Sequence, residues 1–129
     1  MALNGCGKKF LLPLLSFALA MAAHPARAET LNLLCAFDAN QFNGPYDLHV
    51  SVDPGRQLVT AGTVVNGLRP YTASVSDSFI RWTQPGDAVH DEVQYTVDRI
   101  AGTASARLSL NGNFAGNQQA KCRLATQKF

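Results

Sequence analysis

Asp47, His49 and Ser51 alternate along one short stretch, YDLHVSV. These are the residue types of a nucleophilic triad, in which a carboxylate orients an imidazole that takes a proton from a hydroxyl. Residues two apart on a strand share a face, with Cα atoms roughly 6.5–7 Å apart, so their side chains come within mutual reach. A flat exposed face supplies no oxyanion donors and excludes no water, and a solvated polar strand face accounts for the same three residues. His90, Asp91 and Glu92 are three metal-ligating types in succession within a polar stretch that starts at QPGD. Adjacent residues seldom converge on one ion, and no second cluster completes the coordination, so neither a metal site nor a cofactor is expected.

Two further groups bear on binding. In Asp98-Arg99-Ile100-Ala101-Gly102, Asp98 is suited to accept backbone N–H bonds at a turn and Gly102 to take a positive φ. Arg99 can clamp a carboxylate or a neighbouring carbonyl. The segment reads as turn architecture or as part of a binding surface. Trp82, Tyr46, Tyr71 and Tyr95 fall on the apolar phase of their stretches, which makes them core residues or the lining of a barrel mouth. Arg81, on the opposite phase from Trp82, joins Arg99 as a candidate anchor for a partner.

Two of the three cysteines, Cys35 and Cys122, lie at opposite ends of the patterned region, each on the apolar phase. The third, Cys6, belongs to a leader. Lys8 and Lys9 precede an apolar run from Phe10 to Ala23, and Ala26-Arg27-Ala28 has the small-x-small form that signal peptidase accepts. The run falls short of the about 20 residues a membrane span needs. Residues 1–28 are therefore expected to be a cleaved signal peptide. Removing them from 129 residues leaves 101, a single domain over 29–129 in the periplasm or outside the cell. In such a compartment two remaining cysteines form a disulfide. Metal binding would want clustered ligands, and a catalytic thiol would want a nearby base. Cleavage also takes Lys8, Lys9 and Arg27, so eight basic residues remain against nine acidic ones. A net charge of −1, scattered singly, implies neither a nucleic-acid partner nor, once the leader is gone, a membrane partner.

The elements that must position these residues follow a period of two. LNLLCAF, YDLHVSV, QLVTAGTVV, YTASVS, FIRWT, EVQYTVD, TASARLSL and a last stretch near QAKCRLA all alternate. Asp53-Pro54-Gly55, Asn66-Gly67, Ser76-Asp77-Ser78, Ile100-Ala101-Gly102 and Asn111-Gly112-Asn113 supply the turns between them. Gly62 is expected to mark a bulge. Seven or eight short strands with near-hairpin connections predict an all-β domain, a meander closing into an antiparallel barrel or a sandwich. If the first and last strands meet, the disulfide joins them with Cα atoms roughly 5.5–6 Å apart.

The segment YTVDRIAGTASA (95–106), with LLCAF before it and CRLATQKF after it, resembles a group of small exported bacterial β-proteins. These share an early cysteine, a Y-x-(I/V)-(D/N)-R-x-(S/T)-G segment and a cysteine near the C-terminus. Ala73-Ser74-Val75 and Ile80-Arg81-Trp82 are similar to the middle of that group. The chain departs from it at Ala101, where a hydroxyl residue is common, and at Ala120, where glycine is. The group has no assigned activity, so the resemblance implies context and no mechanism. Periplasmic lysozyme inhibitors are similar in size and architecture, but no stretch matches their inhibitory loop.

An enzyme must draw about 8 kcal/mol or more of transition-state stabilisation from positioned, partly desolvated groups. Here the titratable residues fall on outward phases or in polar loops. The expectation is a non-catalytic module that binds a protein or a small ligand. A periplasmic hydrolase inhibitor is the alternative, ahead of a small hydrolase.

Overall fold

The computed structural model describes residues 29–125 apart from Phe42, Asp87 and Val89. The expected leader, 1–28, and the terminal Gln127-Lys128-Phe129 lie outside the described residues. The alternating stretches form eight antiparallel strands: β1 (Leu31–Phe37), β2 (Tyr46–Asp53), β3 (Leu58–Thr63), β4 (Gly67–Val75), β5 (Phe79–Pro85), β6 (Glu92–Asp98), β7 (Thr103–Leu110) and β8 (Asn113–Leu124). Each strand pairs with the next in sequence and β8 returns to β1, so the sheet closes as an up-and-down barrel, not a sandwich.

Closure puts one phase of every strand inside. Cys35, Val50, Val52, Val59 and Ile80 are almost wholly removed from water. Burying each large aliphatic side chain stabilises the fold by about 1.5–3 kcal/mol, and β-branched side chains suit the pleated surface that carries them. The opposite phase holds exposed Asp47, Ser74, Arg81, Gln94, Arg107 and Lys121. This apolar-in, polar-out wall is the reverse of the alternation a lipid-embedded barrel displays. Among the described residues no helix is long and apolar enough to cross a membrane.

Cys35 and Cys122 form the expected disulfide, across the β1–β8 seam. Their Cα atoms are 4.0 Å apart, nearer than a typical bridge requires. The N–H of Cys122 points away from β1 to the carbonyl of Gly102. The cysteines are thus a non-hydrogen-bonded cross-strand pair, the kind in which two strands approach most closely.

The two ends of the barrel differ. One is sealed by side chains bonded to backbone. Asp53 accepts from the N–H of Arg56, capping a one-turn 3-10 helix at Pro54–Arg56. Gln57 then donates to the carbonyl of Val75 (3.3 Å) and accepts from its N–H (2.9 Å). Ser76 Oγ accepts from the N–H groups of Ser78 and Phe79. At the other end lie the described residues of the connections β1–β2, β3–β4, β5–β6 and β7–β8.

Three strand-level expectations change. Gly62 is no bulge, because its register with Leu68 is regular. Glycine is needed there because a Cβ would lie 1.8 Å from the carbonyl oxygen of Gly67. The irregularity falls instead between Leu108 and Ser109, opposite β8. Beyond that shift β8 reaches back to Asn113, well before the expected stretch near QAKCRLA, and its partner Leu110 lies 41% exposed at the rim. Likewise β4 begins at Gly67, ahead of Tyr71, because Leu68-Arg69-Pro70 continues the pairing with β3.

Candidate functional site: the open end of the barrel

The site begins with two prolines. β4 and β5 pair only through Ala73–Trp82, Ser74–Arg81 and Val75–Ile80. Extending that register sets Thr72 against Thr83 and Pro70 against Pro85. Ala73 donates its N–H to Gln57 on the β3 side, so Pro70 and Thr72 face β5. Arg99 donates its N–H to Ser78 on the β6 side of the wall, so Thr83 and Pro85 face β4. Pro70 and Pro85 would therefore form a pair in which neither residue has an N–H to give. The ladder stops short of them and the wall parts between the first half of β4 and the last third of β5.

The parting continues into a cavity of about 800 Å3 at the open end of the lumen. Small inward residues, among them Ala61, Ala106 and Gly116, leave this half of the barrel unfilled. Tyr46, Leu48, Tyr71, Val93, Tyr95 and Leu108 give it an aromatic and aliphatic lining. Tyr95 stacks on Trp82 at 5.1 Å between centroids, and Phe37 stacks on Tyr46 at 4.8 Å. The hydroxyls of Tyr46 and Tyr95 share a hydrogen bond at 3.2 Å. Burial pushes both phenols above their ordinary titration range, so they remain neutral donors and acceptors at any physiological pH.

Amides form the polar rim. Gln118 is 6% exposed, and its Nε2 donates to the carbonyls of Asp38 (2.8 Å) and Gly44 (3.2 Å). Asn40 Nδ2 donates to the carbonyl of Asn117 (2.8 Å), and Asn40 Oδ1 accepts from the N–H of Asn43 (2.7 Å). Asp38, Asn40, Asn43 and Gly44 are thereby fixed across the mouth. On the far side Asp91 Oδ1 accepts from the N–H of Asn111, where Asn111 and Gly112 both take positive φ in a two-residue turn. Gln84 Oε1 accepts from Trp82 Nε1 at 3.2 Å. Such a site can hold a small molecule by stacking and by directed amide bonds. Among the described residues that line it, no base lies beside a nucleophile.

Of the sequence-derived candidates, Tyr46, Tyr71 and Tyr95 line this cavity, and the others do not converge on it. Trp82 lies behind Tyr95, 4% exposed. Arg81 is on the outer wall, its guanidinium 4.8 Å above the ring of Phe79. Asp98, Arg99 and Gly102 stand together at the sealed end. There Asp98 Oδ1 accepts from the N–H groups of Ile100 and Ala101, Gly102 has φ +74°, and Arg99 Nη1 donates to the carbonyl of Ser76. Asp47 and Ser51 sit on the outer face of β2 with His49. Among the described residues no three His, Cys, Asp or Glu side chains converge as a metal site.

Sequence reasoning missed Arg69, Gln84 and Gln118. Each continues an inward phase that was read only in part: Arg69 precedes Tyr71 and Ala73, Gln84 follows Ile80 and Trp82, and Gln118 precedes Ala120 and Cys122. Polar type and the neighbouring prolines hid them. No family model, no curated protein and no solved structure matches the chain.

Proposed function

We propose that the protein is an exported, non-catalytic binding module and that its site is the open end of the barrel. The observation that carries this reading is a cavity with aromatic lining and pre-fixed amide rim, facing a wall that prolines keep apart. Its volume lies within the about 300–1,000 Å3 usual for small-molecule sites. Export is supported by the leader-like first 28 residues and by the disulfide, a bond that persists in oxidising compartments.

The test is a fragment screen read by amide chemical shifts on the oxidised protein. Hits should move Tyr46, Tyr71, Gln84 and Gln118 together. Hits confined to the outer wall would overturn the assignment. Turnover of an ester, peptide or glycoside that His49→Ala or His90→Ala abolishes would replace the binding module with an enzyme.

One observation favours a second reading, a hydrolase inhibitor that docks through the β3–β4 turn. Val64 and Val65 are 83% and 90% exposed at its tip. A lysozyme-inhibition assay lost in the Val64→Ser/Val65→Ser double variant would support it, and no inhibition by the wild type would dismiss it.

A further inference from the structure

The open end has a charge bias. Among the described residues that line the cavity, Arg69 is the one charged side chain and none is acidic. Arg69 pairs with Ala61 across β3 and β4. Ala61 is 1% exposed and inward, and cross-strand partners share a face, so Arg69 also points into the lumen. It is nonetheless exposed, because the β5 wall that would cover it is missing at Pro70 and Pro85. Among the described residues no carboxylate pairs with its guanidinium. A guanidinium offers five donors in a planar fork that matches an oxyanion. Behind it stand Tyr71 and Tyr95, flat surfaces suited to a planar apolar body.

We propose that the open end selects an organic monoanion: an oxyanion group seated on Arg69, carried on a planar apolar body that packs against Tyr71 and Tyr95. The inference rests on the binding-site reading of the same cavity. One cation sets the charge at one. The Gln84 amide, whose Oε1 is oriented by Trp82 Nε1, serves neutral polar atoms of the ligand, and a cation would meet only Arg69.

A matched pair of dyes tests this. 8-Anilinonaphthalene-1-sulfonate and N-phenyl-1-naphthylamine differ only by the sulfonate, and both gain fluorescence in apolar surroundings. The wild type should bind the sulfonate roughly tenfold or more tighter than the neutral dye, as a charge-assisted bond allows. Arg69→Gln should remove that preference by weakening the sulfonate. Arg69→Lys should restore part of it, and added salt should weaken only the sulfonate. Near-ultraviolet dichroism from the Trp82–Tyr95 stack verifies that each variant is folded. If the neutral dye binds and the sulfonate binds no tighter, or if Arg69→Gln leaves the preference intact, anion selection is overturned while the binding site stands. Loss of sulfonate binding in Val64→Ser/Val65→Ser but not in Arg69→Gln would likewise overturn it, by placing the dye on the hairpin tip. If neither dye binds the folded wild type, the binding-site reading falls as well.

Discussion

Two seams of the barrel invert what chain connectivity leads one to expect. β1 and β8 are the most distant strands in sequence, yet they pair over five positions, from Leu33–Leu124 to Phe37–Ala120, and carry the disulfide. β4 and β5 are joined by a tight turn, yet they pair over three. Proximity in sequence lowers the entropy of bringing strands together, so the hairpin should be the fuller ladder. It is the poorer one, and the feature that sets it apart is Pro70 opposite Pro85, two residues with no N–H for the ladder. The lumen is filled toward the sealed end and hollow toward the open end, where the wall parts.

The largest effect should come from the closed seam. Its bridge spans 87 residues of sequence, and a crosslink over a loop of that size stabilises by about 4–5 kcal/mol in the chain-entropy model. The Cys35→Ala/Cys122→Ala double variant should lose stability of that order in urea unfolding, with faster amide exchange at Leu34 and Arg123. A loss under about 1 kcal/mol would show that the five-pair ladder holds the seam unaided and would erase the contrast between the seams.

Next comes the anchor of the short ladder. Gln57 makes both a donor and an acceptor bond to Val75, the residue at which β4 meets β5. Gln57→Ala leaves those backbone groups to water and should cost about 1–3 kcal/mol. Exchange should rise first at Val75 and Arg81, while the β1–β8 amides hold. Uniform loosening of both seams would mean that they are not independent units.

A third effect appears only at alkaline pH and belongs to the hollow half. The phenol pKa values of Tyr46 and Tyr95 are raised in the folded state, chiefly by burial. The unfolded chain binds fewer protons than the folded one above the ordinary phenol pKa near 10. Stability from this source is therefore complete below pH about 10 and lost as pH rises beyond it. Thermal midpoints should be flat from pH 7 to 9 and fall above 10, with a gentler fall in Tyr46→Phe/Tyr95→Phe. Tyrosinate absorbance growing in the folded protein at pH 10 would contradict the burial of the pair.

The closed seam was legible in the sequence and the open one was not, for a physical reason. Cys35 and Cys122 sit on clean apolar phases, and the export expected from the leader-like first residues points them at each other. The inward valines, Ile80 and Trp82 are equally plain, as are the Asn111-Gly112 and Asp98–Gly102 turns. The open end depends on what inward residues lack. Ala61, Ala106 and Gly116 look like ordinary small core residues until the barrel closes and shows nothing across from them. Arg69 and Gln118 break the apolar rule of their phase, and the rule itself makes such positions read as loop. Pro70 and Pro85 acquire meaning only when a register sets them face to face, and that register follows from pairs three to five residues away.

The smallest change in stability should accompany the most direct test of the contrast. Pro70→Val/Pro85→Val returns two backbone donors to the gap. Two new ladder bonds would contribute about 0.5–1.5 kcal/mol each. Each lost proline frees the unfolded chain and offsets about 0.4–1 kcal/mol of that gain. The net should lie within about 1 kcal/mol of the wild type. The structural change should still be plain. With donors on both sides, the register can extend through Thr72–Thr83 to position 70 against 85, and the amides of Thr72 and Thr83 should become protected from exchange. A completed wall covers Arg69 and narrows the way into the cavity, so both dyes should bind more slowly, and the sulfonate more weakly. Unchanged exchange at Thr72 and Thr83 would mean that something other than two missing donors holds the strands apart. The hollow filling behind them, with Ala61, Ala106 and Gly116 too small to prop the wall from within, would then be the cause to examine.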